Sequence, residues 1–237
     1  MRAHRPGHRL AGSALAAWAL ALAACGGSGP GPVPPTLTIS SQNTGPARGL
    51  ITFSFDFSED VGNSFSGADV LLSAGSKTSF SKLSPTRYAM VVTPPADASG
   101  NLEVSVAADA YTSVDRLPGT ALARFSQAFD TQAPSLAISS SAAGQVAKTG
   151  FTLTFNFSED VGNSFTADDL HLVFSSGSGG AKGNFSRVSA TQATLELLLP
   201  AGAAGVADLS VSTGAFSDLA GNASTASYFA AQQYDTR

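Results

Sequence analysis

This 237-residue sequence has little cysteine, charge or histidine, and each shortage excludes a class of protein. The single cysteine can form neither an intramolecular disulfide framework nor a cysteine-based zinc site. Only 13% of the residues are charged, which excludes a disordered polyelectrolyte. Acidic residues outnumber basic ones by 17 to 13, and no basic stripe is present, so we expect no nucleic-acid partner.

Few residues offer catalytic chemistry. A nucleophilic hydrolase holds a base beside its nucleophile, yet the only histidine beyond the first 25 residues is His171, which we interpret as a partly exposed strand residue. The acidic pairs Asp168-Asp169 and Glu159-Asp160 are neighbours at predicted strand ends. Their side chains would point to opposite faces, so neither makes the facing pair of a glycosidase. The sequence therefore predicts a protein that is not an enzyme.

The chain begins with a cationic and then apolar leader. Three arginines precede an apolar run over residues 10–24. This run is shorter than the roughly 20 residues of a membrane-spanning helix, and it predicts a signal peptide over residues 1–24.

The leader ends in Leu-Ala-Ala-Cys at residues 22–25, which resembles the lipobox of bacterial lipoproteins. The resemblance implies cleavage before Cys25, a lipid on Cys25, and attachment to a membrane of the cell envelope. Gly26 after the cysteine implies the outer membrane, with exposure to the periplasm or the cell surface. Residues 25–35 are rich in Gly and Pro and predict a flexible tether. An ordinary secretory signal with an incidental cysteine is the alternative.

The remainder of the chain contains one module twice. The nine residues 57–65, Phe-Ser-Glu-Asp-Val-Gly-Asn-Ser-Phe, recur without change at 157–165. Phe-Asp-Thr at 129–131 recurs as Tyr-Asp-Thr at 234–236, so module 2 is five residues longer between these points. We place the extra residues near 175–180, in a Ser/Gly stretch interpreted as a lengthened hairpin loop.

Hydrophobic residues alternate with polar ones in both modules. Large apolar side chains occupy every second position of 51–57 and of 151–157, which is typical of β-strands with one buried face. About seven such short segments fall within roughly 95 residues, separated by turn residues, and predict an immunoglobulin-like (Ig-like) β-sandwich. The sequence thus predicts an all-β chain with two tandem sandwiches, at 36–130 and 131–237.

Three segments resemble the bacterial Ig-like domains that occur in tandem in surface proteins and adhesins. They are 157–161 (Phe-Ser-Glu-Asp-Val), 215–222 (Ala-Phe-Ser-Asp-Leu-Ala-Gly-Asn) and the junction 130–134 (Asp-Thr-Gln-Ala-Pro). The resemblance implies an envelope protein that displays two domains for adhesion or for binding a protein or glycan ligand. A structural spacer, or an assembly component of an envelope complex, is the alternative. The only Trp lies in the leader, which disfavours a carbohydrate-active accessory domain.

Acidic residues at one pole of module 2 suggest a metal site. In an Ig-type sandwich the incoming linker, the B–C loop and the F–G loop meet at one pole, which brings Asp130, Glu159, Asp218 and Asn222 together. Oxygen donors without His or Cys suit Ca²⁺ rather than zinc. The family resemblance likewise implies calcium at the inter-domain junction.

A second interpretation assigns these residues to local structure. Module 1 keeps the acidic pair Glu59-Asp60, but Ser113 and Leu117 stand where module 2 has Asp218 and Asn222. The acidic pair would then serve a turn or keep a sheet edge soluble, and Asp218 would stabilise a turn. The sequence leaves both interpretations open.

Overall fold

The computed structural model describes residues 31–237, of which Pro34–Arg237 form one unit. Cys25, the leader and most of the tether lie outside the described residues. Among residues 31–237, no helix has the length and apolar composition of a membrane span.

Fourteen strands make up the described chain, seven in each module. In module 1 they are β1 (Leu37–Ser41), β2 (Ile51–Phe57), β3 (Val70–Leu72), β4 (Ser76–Ser84), β5 (Arg87–Thr93), β6 (Ser99–Val106) and β7 (Ala123–Asp130). In module 2 they are β8 (Leu136–Ser140), β9 (Phe151–Phe157), β10 (Leu170–Phe174), β11 (Ala181–Ser189), β12 (Gln192–Leu198), β13 (Ala204–Val211) and β14 (Tyr228–Asp235).

Each module is a sandwich of a four-stranded and a three-stranded antiparallel sheet. The strand orders are β1-β2-β5-β4 and β3-β6-β7 in module 1, and β8-β9-β12-β11 and β10-β13-β14 in module 2. Lettered A to G along the chain, these are the A-B-E-D and C-F-G sheets of a constant-type immunoglobulin domain. The prediction of two tandem all-β sandwiches is confirmed.

The alternating residues of the B strands form the centre of each core. Phe53, Phe55 and Phe57 of β2 are buried, as are Leu153, Phe155 and Phe157 of β9. Their partners come from the facing sheet and the loops, so each module has its own apolar cluster. Phe165, for example, packs edge-on against Phe157 and Phe216, with ring centroids 5.0 and 5.8 Å away.

The repeated nine-residue block forms the same turn in both modules. Asp60 Oδ1 accepts a hydrogen bond from the Gly62 N–H at 2.7 Å, and Asp160 Oδ1 accepts one from the Gly162 N–H at 2.8 Å. The block therefore recurs partly because it specifies a local turn.

Two details differ from the sequence predictions. Residues 175–180 are not a hairpin loop, because β10 pairs with β13 while β11 pairs with β12 in the other sheet. The lengthened segment therefore crosses between the sheets. Asp168 and Asp169 belong to a short 3-10 turn, Ala167–Asp169, rather than a strand end, and Asp169 Oδ2 caps that turn by accepting from the Thr166 N–H at 2.7 Å.

Candidate metal centre at the module junction

Three carboxylates meet where module 1 ends and module 2 begins. Asp130 is the last residue of β7, Glu159 follows β9, and Asp218 lies between β13 and β14. One carboxylate oxygen from each lies within 4.8 Å of the others. The structure thus brings together the three carboxylates among the four residues that the sequence suggested as metal ligands.

The loop that carries Asp218 is a tight turn. The Asn222 N–H donates to Asp218 Oδ1 at 2.8 Å, and the Asp218 N–H donates to the Asn222 carbonyl at 3.1 Å. Gly221 has a φ of +89°, a left-handed conformation that glycine adopts without steric cost. Asp218 is held almost out of solvent, with 6% of its surface exposed.

Asn222 lies beside the carboxylates but presents its amide nitrogen to them. Nδ2 donates to Asp218 Oδ2 at 2.8 Å and to the Asp130 carbonyl at 3.0 Å. Asn222 therefore orients Asp218 and connects its loop to the end of module 1. In this arrangement it does not supply the oxygen ligand that the sequence suggested.

Module 1 forms the same turn without the carboxylate. The Ser113 N–H donates to the Leu117 carbonyl at 2.9 Å, and the Arg116 N–H donates to the Ser113 carbonyl at 2.9 Å. Arg116 takes the left-handed position of Gly221, with a φ of +64°. Since this backbone geometry forms around a serine, the turn alone does not require an aspartate at position 218.

The surroundings of Glu159, including the other two carboxylates, raise the pKa of its carboxyl group. Partial burial raises the pKa of the Glu159 carboxyl above its ordinary value of 4.5, and the negative charges of Asp218 and Asp130 raise it further. Within residues 31–237, none of the three carboxylates forms an ion pair with a basic side chain. The arrangement concentrates negative charge that a cation would neutralise.

Arg48 makes a second contact across the junction, which sequence reasoning missed. Its guanidinium Nη1 donates to the carbonyl of Gly221, so a residue of module 1 contacts the F–G loop of module 2. Module 2 has Lys148 at the equivalent position, and nothing in the local sequence marks Arg48 as a contact residue.

The other residues considered from the sequence do not belong to this group of three carboxylates. Asp160 caps its own turn and approaches the Arg187 guanidinium at 3.9 Å. His171 is exposed on β10. Cys25, the predicted lipidation site, precedes the described residues.

The fold places the chain among proteins built from constant-type Ig sandwiches in tandem. More narrowly, it belongs to the bacterial Ig-like domain family, whose model matches residues 32–126 and again 130–234. No curated protein sequence matches the chain.

Several solved structures resemble the chain at low sequence identity. The adhesin InvE of Yersinia pseudotuberculosis shares 12% identity, with a TM-score of 0.32 over 84% of this chain and 58% of that structure. InvD of the same organism shares 17%, with a TM-score of 0.33 over 85% and 56%. Domains 4 and 5 of the S-layer protein SbsC share 14%, with a TM-score of 0.33 over 84% and 98%. The chain thus spans little more than half of the two Yersinia structures.

Proposed function

We propose that this protein is a non-enzymatic lipoprotein of the bacterial cell envelope that displays two Ig-like domains for adhesion or for binding a protein or glycan partner. The observation that carries the proposal is the family match, which covers both modules and nearly the whole described chain. The lipobox at residues 22–25 and the Gly/Pro-rich segment after it support attachment to a membrane. Gly26, which follows the cysteine, supports the outer membrane by its resemblance to other bacterial lipoproteins.

A test of the anchor uses the full chain and a Cys25→Ser variant. We expect mass spectrometry of the membrane fraction to find lipid on Cys25, and we expect the variant to leave that fraction. An unmodified mature chain in the soluble fraction would contradict the anchor.

Binding and spacing make different predictions about partners. A binding protein should retain a partner in pull-downs from intact cells with the lipidated protein, and loop or sheet-face variants should release it. A spacer, which is the alternative function, should tolerate such variants but respond to changes at the junction. The contacts of Asn222 and Arg48 across the junction favour a defined arrangement of the two modules, which either function can use.

We further propose that Asp130, Glu159 and Asp218 hold Ca²⁺ at the junction, with Asn222 positioning Asp218. Calcium binds oxygen ligands at about 2.3–2.6 Å, so two ligands of one ion lie no more than about 5 Å apart. The three carboxylate oxygens, all within 4.8 Å of one another, meet this requirement. Because Asp130 ends module 1 and the other two belong to module 2, a bound ion would tie the modules together.

A further inference from the structure

The exposed face of the C-F-G sheet differs in charge between the modules. In module 1, Arg124 of β7 pairs with Glu103 of β6, with Nη1 and Oε1 3.3 Å apart. The same positions in module 2 hold Phe229 of β14 and Asp208 of β13, because Ser210 is opposite Phe229 just as Ser105 is opposite Arg124. Module 2 thus has a carboxylate at the position of Glu103 but an aromatic ring at the position of Arg124.

This replacement leaves an open site on module 2. Phe229 is 77% exposed, the highest value among the large hydrophobic residues of the described chain. Within residues 31–237, Asp208 forms no ion pair. The two side chains border a shallow depression of about 290 Å³, which is also lined by His171, Val173 and Ala231. An aromatic ring, small apolar groups and one carboxylate thus lie on the same surface.

We propose that this face, defined by Phe229, Asp208 and Val173, binds an arginine or lysine side chain of a partner polypeptide. Module 1 shows which chemistry complements the carboxylate, since its own arginine occupies the equivalent place. A cation from a partner can pair with Asp208 and lie over the ring of Phe229, where cation–π attraction adds to the ion pair. The proposal deepens the binding function proposed above and rests on it.

The charge of the face favours a basic partner over a purely apolar one. An apolar partner would cover the Asp208 carboxylate without compensating its lost hydration, which is unfavourable. The chain also carries a net charge of −4, which attracts basic partners over distance at low salt. The occupant to which we commit is therefore a basic segment of another protein.

The test measures how tightly the full chain binds a charged probe and an uncharged probe of the same shape. Nα-acetyl-arginine amide is titrated into ¹⁵N-labelled protein, with Nα-acetyl-citrulline amide as the uncharged isostere. We expect the arginine probe to shift the amide signals of Ser210 and Ala231 and to bind about threefold to tenfold more tightly than the citrulline probe, a preference that salt weakens.

Exchange variants provide matched loss and gain of the site. Phe229→Arg reproduces the module 1 pair and should abolish the arginine preference in module 2. Arg124→Phe should create the preference in module 1, at the amides of Ser105 and Ser126. Asp208→Asn keeps the aromatic ring and removes the ion pair, so it should reduce the arginine preference and leave only the part that cation–π attraction provides. Each new residue already occurs at the equivalent place in the other module or is isosteric, and unchanged melting curves verify that the variants fold.

Three results would overturn the proposal. The first is equal binding of the two probes, which would show that the face does not recognise charge. The second is an arginine preference that survives Phe229→Arg, and the third is no gain in Arg124→Phe. The pull-down from intact cells separates this site from the broader function. Partners that remain bound to Phe229→Arg would preserve the binding function and reject this face as the site.

Discussion

Replacing Glu159 by glutamine should change the stability of module 2 in opposite directions with and without calcium. Glu159 accepts no hydrogen bond within the described residues, so Glu159→Gln removes charge without breaking a turn. Without calcium it should stabilise the protein, because it relieves repulsion from Asp130 and Asp218. Since Glu159 is partly exposed to solvent, we expect a gain of only about 0.2–1 kcal/mol in the free energy of unfolding.

With calcium the same substitution should destabilise the protein. At a calcium concentration 100 times the dissociation constant, binding contributes about 2.7 kcal/mol of stability. For a domain of about 100 residues this raises the melting temperature by roughly 10–20 °C. Glu159→Gln should lose most of this increase, because it removes one of three charged ligands.

The matched control is Glu59→Gln, at the equivalent position of module 1. That module has Ser113 in place of an aspartate at its F–G turn, so the control should respond equally little in calcium and in chelator. Differential scanning calorimetry of the wild type and both variants, in calcium and in EGTA, measures all of these effects. If EGTA leaves the wild-type melting temperature unchanged, or if Glu159→Gln has the same sign in both buffers, the metal-site reasoning is wrong.

Three further predictions concern pH, backbone strain and the core. In EGTA the free energy of unfolding should fall as the pH rises above about 4.5. The reason is that the raised pKa of Glu159 makes the folded state bind more protons than the unfolded state. Glu159→Gln should flatten this slope when denaturation is measured as a function of pH. Arg116→Gly should stabilise module 1 by about 0.5–1 kcal/mol in urea titrations, because Arg116 has a left-handed φ of +64° that glycine adopts without strain. A loss of stability would show that the Arg116 side chain contributes more than the backbone strain costs. Phe165→Ala should destabilise module 2 by about 3–5 kcal/mol, because it removes a buried ring packed against Phe157 and Phe216. A loss of less than about 1 kcal/mol in chemical denaturation would contradict that packing.

Much of the fold was predictable because its signals are local. The alternation in 51–57 and 151–157 depends only on the period-two geometry of a strand, and both segments are strands with those bounds. The repeated block contains the residues of its own turn, including Asp60 and Gly62. The segment 175–180 is wrongly predicted as a hairpin loop. Its extra length is visible in the sequence, but the sheet that each flanking strand joins is not.

The candidate site was predictable as a set of residues but not as a network of contacts. The Ig topology brings the ends of β7, β9 and β13 to one pole, so Asp130, Glu159 and Asp218 could be grouped from the sequence once that topology was assumed. The direction of the Asn222 amide depends on hydrogen bonds to atoms 4 and 92 residues away. These bonds direct the amide nitrogen of Asn222 toward Asp218 and toward the Asp130 carbonyl.

The sequence by itself determined two all-β modules, the repeated turn and the location of the acidic residues, because each depends on neighbours along the chain. Only the tertiary structure decided that Arg48 contacts Gly221, 173 residues away, and that Phe229 rather than the adjacent Tyr228 faces solvent. Two adjacent aromatic residues in a strand look alike in sequence, and the register of β14 against β13 determines which of them is exposed. Contacts between distant segments depend on how complete sheets pack, and no local pattern encodes that packing.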